Sequence, residues 1–169
     1  MSFCCFPDFG LIRKMKIKTL IAVSKEGHCL NDLLYRAEYS NLAIDIVGIV
    51  SNHQDFRPMA EHHDIPYHYL PVDASSKQQQ EQCLQDIFVQ EQVELVVLAR
   101  YMQILTPELT RKWHGKCINI HHSFLPGFKG SNPYKQAFDR GVKIIGATAH
   151  YVTSDLDEGP IIEQDTAHV

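Results

Sequence analysis

The sequence has few of the features that mark secreted, metal-binding or membrane proteins. Its five cysteines are an odd number without C-x-x-C spacing, which argues against a disulfide framework and a structural zinc site. No apolar run approaches the roughly 18 residues that a membrane span requires. The formal net charge of -4 provides no basic surface for nucleic acid or an anionic membrane. The sequence therefore predicts a cytoplasmic protein with a small-molecule ligand, and it predicts neither a nucleic-acid nor a membrane partner.

The composition is that of one globular domain. With 169 residues, 44% of them hydrophobic and 21% charged, the chain is long enough to bury a core. Residues 1–15 are predicted to be a non-secretory leader or the remnant of an upstream segment, since Pro7 and Asp8 interrupt their apolar stretch. The domain itself is predicted to occupy residues 16–169.

Strand and helix patterns alternate along the first hundred residues. The predicted strands are IKTLIAVS, IDIVGIVS, YHYLPV and ELVVLA, and the predicted helices are HCLNDLLYRAEYS, RPMAEHH and SSKQQQEQCLQDIFVQEQ. This alternation predicts an α/β fold with an open, mostly parallel sheet and helices on both of its faces. In the third helix, the segment KQQQEQ is predicted to face solvent after an N-cap at Ser75 or Ser76.

The second half has shorter elements. Thr106 before Pro107 and Asn132 before Pro133 predict the N-termini of two short helices, the second ending near Gly141. Three further strands are predicted at CINIHH, IIGATAHYV and GPIIEQDTAHV. Because ligands in open α/β sheets bind outside the carboxyl ends of the strands, functional side chains are expected where VVLA, INI and TAHYV end.

Polar side chains suited to acyl transfer lie at these strand ends. Asn119 and His121 are two residues apart, so a strand presents their amide and imidazole groups on one face. His150 lies within the next strand, and Asp157 follows it in a loop. An amide N–H can stabilise an oxyanion, an imidazole can move a proton, and a carboxylate can hold water. The alternative is structural: a buried histidine bonded to a carbonyl group and an asparagine that caps a loop.

Two other kinds of site are less compatible with the sequence. His121, His150 and Asp157 match the ligand types of some metal sites, but their separations match no local metal signature, so no metal is predicted. The loop SKEGHCL after the first strand contains one glycine, Gly27, where a phosphate cradle needs several, and Glu26 beside it would repel an anion. A dinucleotide site is therefore not expected.

The segment RYMQIL, residues 100–105, has two interpretations. It is either a short helix that covers the core or a wall of a pocket for a flat heteroaromatic ligand.

Two separated motifs resemble a known family. The runs NIHHSFLPGFKG, residues 119–130, and HYVTSDLDEGPII, residues 150–162, are similar to those of the folate-dependent formyltransferase domain. The resemblance extends over residues 16–169 and is strongest to the members that hydrolyse formyltetrahydrofolate to formate and tetrahydrofolate. It implies the Rossmann-like formyltransferase fold, incomplete at the C-terminus, and a cis peptide bond between Leu125 and Pro126. An N-terminal ACT regulatory domain, which such members usually carry, is not expected in this chain.

The resemblance also implies roles for individual residues. Asn119, His121 and Asp157 match the catalytic trio, and His150 matches its supporting histidine. The folate pocket is implied at Met102, Gln103, Ile104, Leu105, Ser154 and Asp155. Formyltetrahydrofolate is then a substrate, no separate cofactor is implied, and the oligomeric state is left open, a homo-oligomer included. Two alternatives remain: formyl transfer to an amine such as glycinamide ribonucleotide, and a truncated folate-binding protein without activity.

Overall fold

A computed structural model describes residues 15–73, 75–130 and 132–168, and within these ranges the chain forms one seven-stranded sheet with five helices. The strands are β1 Ile17–Val23, β2 Ile44–Ser51, β3 Tyr67–Tyr69, β4 Leu95–Leu98, β5 Cys117–His121, β6 Ile144–Tyr151 and β7 Ile161–His168. The helices are α1 His28–Tyr39, α2 Arg57–His62, α3 Lys77–Gln90, α4 Pro107–Lys112 and α5 Pro133–Asp139. The predicted leader lies outside the described residues, except for Met15.

The sheet has the order β3-β2-β1-β4-β5-β6-β7. The pairs β1·β2, β2·β3, β1·β4 and β4·β5 are parallel, whereas β5·β6 and β6·β7 are antiparallel. The prediction of an open, mostly parallel sheet is therefore confirmed. The antiparallel pairs bring the last two strands to one edge of the sheet.

Helices cover both faces of the sheet, as predicted. Side chains alternate along β1, so Leu20 and Ala22 lie in one core cluster, while Ile21 and Val23 lie in another. The first cluster contains residues of α3 and α4, and the second contains residues of α1 and α2. The core therefore lies in two layers, one on each side of the sheet.

Of the two interpretations of residues 100–105, the short helix is wrong, and the segment lines a cleft. This segment has no helical hydrogen bonds and runs as an irregular chain between β4 and α4. Arg100 has a φ of 62°, in the left-handed region, which interrupts any right-handed helix at its first residue. Thr106 then caps α4 by accepting a hydrogen bond from the Leu109 N–H at 3.3 Å, so the helix begins only at Pro107.

The prediction for α3 is correct in position and wrong in two details. Ser76 occupies the N-cap but its side chain makes no capping bond, since its hydroxyl accepts the Asp73 N–H at 2.9 Å instead. Gln80 and Glu81, expected at the surface, are 5% and 7% exposed. Both side chains find polar partners in the segment after β4, and Gln80 also donates to the Leu70 carbonyl oxygen, so the cost of burying them is offset.

The N-cap predicted at Asn132 is also correct only in position. Asn132 has a φ of 61° and its side chain makes no capping bond. In the described part of the chain, none of the helices is both long enough and apolar enough to cross a membrane.

Candidate active site

A cleft of about 390 Å³ opens beside the carboxyl ends of β4 and β5. All ten residues predicted for the site line it: Met102, Gln103, Ile104, Leu105, Asn119, His121, His150, Ser154, Asp155 and Asp157. The structure thus brings together segments that are about 50 residues apart in the sequence.

The strand β5 places two of these side chains. Asn119 and His121 alternate with Ile120, which packs into the opposite core layer, so their side chains share the face that carries the cleft. Asn119 pairs with Leu98 at the end of β4 on one side and with His150 of β6 on the other. His150 was expected at a shared carboxyl edge, but β6 is antiparallel and reaches Asn119 through this pairing register.

Asn119 and His150 form a hydrogen-bonded pair with a defined direction. The Nδ1 atom of His150 lies 3.0 Å from the Tyr151 carbonyl oxygen, which can only accept, so Nδ1 carries the proton. Burial lowers the pKa of His150, and the ring is therefore neutral at pH 7. Its Nε2 atom then accepts a hydrogen bond from Asn119 Nδ2 at 3.2 Å. The second N–H of the Asn119 amide remains available to a bound ligand.

His121 is buried, and a hydrogen bond from its Nε2 atom fixes the orientation of its ring. Its Nε2 donates to the Phe128 carbonyl oxygen at 2.9 Å, and the Ser123 hydroxyl donates to the same oxygen at 2.5 Å. Nδ1 is therefore the atom that faces Asp157, whose Oδ1 lies 3.5 Å away. The imidazole is fixed between a main-chain acceptor and a carboxylate.

Asp157 lies in the segment between β6 and β7, which we call the Asp157 loop (residues 152–159). Its φ of 56° is left-handed and its side chain is buried. Oδ2 accepts the Gly130 N–H at 2.9 Å, while Oδ1 lies 3.8 Å from His150 Nε2. Oδ1 is consequently the atom directed between the two histidines.

A glycine shapes the Asp157 loop. A Cβ atom at Gly159 would lie 1.6 Å from the Tyr151 carbonyl oxygen, so the backbones approach too closely for any side chain there. The Tyr151 N–H donates to the Pro160 carbonyl oxygen at 2.9 Å and closes the base of the loop. The Leu125–Pro126 bond in the facing segment is cis, which confirms the prediction made for it.

The opposite side of the cleft, residues 101–106, is here called the anchored wall. Tyr101 and Leu105 are buried beneath it, whereas Met102 and Ile104 are 52% and 63% exposed. Gln80 donates to the Tyr101 hydroxyl at 3.1 Å, and Glu81 accepts the Thr106 N–H at 2.8 Å. Two polar side chains of α3 thus hold this wall from below.

Sequence reasoning missed these two anchors. Gln80 precedes the buried Leu84 by four residues and Ile87 by seven, which is the spacing of a helical stripe that faces inward. This helical spacing was the signal in the sequence from which the burial of Gln80 could have been predicted.

Two basic residues of the cleft were also missed. Arg100 and His122 both line it. Burial, followed by the charges of Arg100 and His121, lowers the pKa of His122 to about 4, so this ring is neutral at pH 7.

The site's donors do not form a metal centre. Across residues 15–73, 75–130 and 132–168, no group of three or more histidine, cysteine, aspartate or glutamate side chains could hold a metal ion. His121 Nε2 and His150 Nδ1 already bond to main-chain carbonyl oxygens. The absence of a metal from the working protein remains a prediction.

The fold and the cleft together define a class of protein. The sheet carries an asparagine and a histidine on β5 and an aspartate in the loop after β6. The family model described as formyl transferase matches this chain over residues 17–169. The chain belongs to this family.

Within the family, the chain is most clearly similar to deformylases. It is 53% identical to formyltetrahydrofolate deformylase of Corynebacterium sp. strain P-1, over 93% of this chain and 55% of that protein. The crystal structure of formyltetrahydrofolate deformylase from Burkholderia mallei has a TM-score of 0.87 and 57% identity, over 93% of this chain and 56% of that one. The chain thus spans about half the length of these relatives.

A second branch shares the fold at lower identity. Phosphoribosylglycinamide formyltransferase from Anaplasma phagocytophilum has a TM-score of 0.80 and 34% identity, over 91% of this chain and 73% of that one. The main-chain fold is similar in both branches, so the choice between them depends on side chains.

Proposed function

We propose that this chain hydrolyses formyltetrahydrofolate and releases formate and tetrahydrofolate. One observation carries the proposal: an amide donor, an imidazole and a buried carboxylate converge in a single cleft, on Asn119, His121 and Asp157. The identity of about half of all residues with formyltetrahydrofolate deformylases supports it.

The attacking water is assigned to Asp157. Oδ2 is held by the Gly130 N–H, which leaves Oδ1 to accept a hydrogen bond from water and orient it toward the formyl carbon. The proton of that water passes to the carboxylate as the new C–O bond forms. Positioning by this carboxylate should supply much of the rate increase, because it turns an encounter with bulk water into a step within one complex.

Asn119 and His121 are assigned to the oxyanion. The free N–H of the Asn119 amide and the Nδ1–H of protonated His121 point into the same cleft, so both can bond to the oxygen of the tetrahedral intermediate. Neutral His150 acts indirectly, since it fixes the orientation of the Asn119 amide.

Collapse of the intermediate breaks the bond between carbon and nitrogen. His121 gives its Nδ1 proton to the departing folate nitrogen, and the electron pair of the broken bond stays with that nitrogen. The products are formate and tetrahydrofolate. Water and the substrate supply all the atoms and electrons of this reaction, so it needs no oxidant or reductant. We therefore assign no cofactor to the reaction.

The folate ring is assigned to the space between the anchored wall and the Asp157 loop. Residues 102–105 and 154–155 line opposite sides of the cleft, and their main-chain groups are available to a flat heterocycle with donors and acceptors at its edge. Buried Tyr101 and Leu105 fix the wall before the ligand arrives, which reduces the entropy lost on binding.

The loop after β1 favours water over an amine as the acceptor. Phe56 packs against Gly27, where an added Cβ atom would lie 2.3 Å from its ring. The loop therefore has no open glycine cradle for a phosphate, and the exposed Glu26 adds a negative charge there. This loop adjoins the cleft where the Ser24 hydroxyl accepts the Met102 N–H, and a phosphorylated amine would have to approach past it.

The remaining assignments follow from the proposed reaction. We place the protein in the cytoplasm, with a folate as its small-molecule partner and with no nucleic-acid or membrane partner. Its oligomeric state is left open, and a homo-oligomer is compatible with the proposal.

The test follows formate release from formyltetrahydrofolate by the purified chain, with and without glycinamide ribonucleotide. We expect formate at equal rates in both reactions and no formylated ribonucleotide. Appearance of the formylated ribonucleotide would identify a transferase, and folate binding without formate release would identify a binding protein.

A further inference from the structure

Arg100 is a partly buried residue of the cleft with guanidinium nitrogens that lack a hydrogen-bond partner. Its Nε and Nη1 atoms are buried and make no hydrogen bond, although the residue lines the cleft beside the proposed catalytic side chains. A buried charged donor that lacks a partner is costly, because its desolvation is not compensated. Such a group is expected where a ligand completes the hydrogen bonds.

The backbone of Arg100 is held in an unfavourable conformation. Its φ of 62° lies in the left-handed region, which costs a residue with a Cβ atom about 1 kcal/mol or more. The Ser24 N–H donates to the Arg100 carbonyl oxygen at 3.2 Å, and the Ser24 hydroxyl accepts the Met102 N–H at 3.0 Å. Glycine adopts this backbone conformation without that cost, so an arginine at this position makes the folded backbone less stable than a glycine would.

The surroundings of Arg100 leave it unneutralised. Among the described residues no carboxylate forms an ion pair with it, and the nearby acids have other partners: Asp157 bonds to Gly130, and Asp32 pairs with Arg36 at 2.7 Å. Arg100 also lies close enough to His122 for its positive charge to help lower the pKa of that ring. The Arg100 guanidinium is therefore the positive charge in this lining and is suited to a small anion.

We propose that Arg100 binds the carboxylate of formate after hydrolysis, and that its guanidinium forms the product subsite of the cleft. This inference rests on the proposed function. Formate is a planar anion whose two oxygens accept hydrogen bonds, and a guanidinium group matches such a carboxylate better than an ammonium group does. The neutral His122 ring beside it is placed to give or accept a further hydrogen bond.

A second source of carboxylate is the glutamate of the folate itself. The position of Arg100 favours formate, because the residue lies in the same cleft as His121 and adjoins His122, whose ring centroid is 5.4 Å from that of His121. The two sources are separated below by testing formate and a glutamate-bearing fragment independently.

The experiment measures formate binding in the absence of any folate. Carbon-13 formate is titrated with the full chain and the change in its NMR linewidth is followed, with neutral formamide as a competitor. We expect saturable formate binding to the wild type, no competition by formamide, and at least tenfold weaker binding by Arg100→Gly. The matched control is Arg111→Gln, an exposed arginine on α4, for which affinity should stay within twofold of wild type.

The choice of glycine protects the test against misfolding. Arg100→Gly relieves the left-handed strain and removes the unpaired donors, so the midpoint of thermal unfolding should rise by about 2–4 °C. A merely structural arginine would instead lower that midpoint when it is removed. Arg100→Lys keeps a charge but not the planar donors, and we expect it to bind formate three- to tenfold more weakly than wild type.

Each outcome decides the proposal. Formate binding that is absent in the wild type, or unchanged in Arg100→Gly, would overturn it. So would Arg100-dependent binding of p-aminobenzoylglutamate without binding of formate, since that would identify a subsite for the folate tail. Formate release is assayed separately, so a chain that binds formate through Arg100 but releases none would contradict the proposed function and retain the anion site.

Discussion

The two sides of the cleft are held in different ways. The anchored wall rests on buried Tyr101 and Leu105 and on hydrogen bonds from α3, whereas in the Asp157 loop only Asp157 and Gly159 are buried. One side is built by packing over a core layer, and the other by close contacts between main-chain segments. Ligand binding should therefore depend on the anchored wall, and catalysis on the Asp157 loop. A single substitution should then change affinity or turnover, but not both.

Apart from removal of the Asp157 carboxylate, loss of the oxyanion donor should have the largest effect among the substitutions that leave the backbone intact. In Asn119→Ala we expect turnover to fall by roughly a hundredfold or more, the scale seen when one oxyanion donor is removed. Affinity for a non-hydrolysable folate analogue should stay within about threefold, since the anchored wall is unchanged. Initial rates of formate release at saturating substrate measure the loss.

The control for this change is Asn31→Ala. Asn31 is exposed on α1 and does not line the cleft, so its replacement should leave turnover within twofold of wild type. Near-normal formate release by Asn119→Ala would remove the amide from the proposed mechanism.

Disruption of the Asp157 loop should come next in size. Gly159→Ala places a Cβ atom 1.6 Å from the Tyr151 carbonyl oxygen and 2.8 Å from the Tyr151 carbonyl carbon, so the loop must move. Since Asp157 lies two residues away, we expect turnover to fall by at least tenfold. Comparison with Gly115→Ala isolates the clash, because an added Cβ atom at Gly115 meets no atom within 4 Å.

Gly115→Ala should cost only the strain of its positive φ, about 1 kcal/mol of unfolding free energy, with turnover preserved. Equal turnover in Gly159→Ala and Gly115→Ala would show that the loop tolerates displacement.

Release of the anchored wall should weaken binding rather than chemistry. Glu81→Ala removes the acceptor of the Thr106 N–H and leaves that donor without its partner, at a cost of about 1–3 kcal/mol of unfolding free energy. The dissociation constant of a folate analogue should rise about tenfold, while turnover at saturating substrate changes by less than threefold.

The exposed Glu91, one residue beyond the end of the same helix, provides the matched control as Glu91→Ala. Isothermal titration and urea unfolding give the two quantities. A fall in saturated turnover that exceeds the loss of affinity would contradict the separation of the two sides.

The smallest effect concerns pH and stability. Burial lowers the pKa of His150, and burial together with nearby charges lowers the pKa of His122 to about 4, both from the ordinary histidine value of 6.5. In the unfolded chain these two histidines therefore bind protons near pH 6.5, whereas in the folded chain they bind them only at lower pH. The unfolding free energy should fall as the pH drops from about 6.5 toward 4.

Urea unfolding at pH 7 and pH 5.5 tests this sign, because most carboxylates remain ionised over that interval. His122→Asn should reduce the loss of stability, whereas His62→Asn, an exposed change on α2, should not. A wild-type protein that is more stable at pH 5.5 than at pH 7 would contradict the neutral state of these rings.

Much of the fold was predictable from the sequence because its strands and helices have clear periods. The strand directions at the sheet edge were not, since the hydrophobic pattern does not encode them. A signal was available in the nine residues between Tyr151 and Ile161: they are too few for a helical crossover and favour an antiparallel pair. The irregular path of residues 100–105 was missed because RYMQIL contains no turn residue.

The predicted site residues were found by their position after strands and by motif resemblance, and all of them line the cleft. Gln80 and Glu81 were missed because KQQQEQ is polar, and their burial depends on Tyr101 and Thr106, about 20 residues further along the chain. Arg100 was missed because no local sequence signal marks a left-handed arginine. The residues that support a site are thus harder to predict than those that act in it.

The separation of the two sides is tested most directly by the affinity of Asp157→Asn for a non-hydrolysable folate analogue, measured beside its rate of formate release. The substitution keeps the shape of the side chain and its acceptor for the Gly130 N–H, but removes the charge directed between the histidines. We predict almost no formate release with a dissociation constant within about tenfold of wild type, or about 1.4 kcal/mol. Equal losses of affinity and turnover would contradict the account.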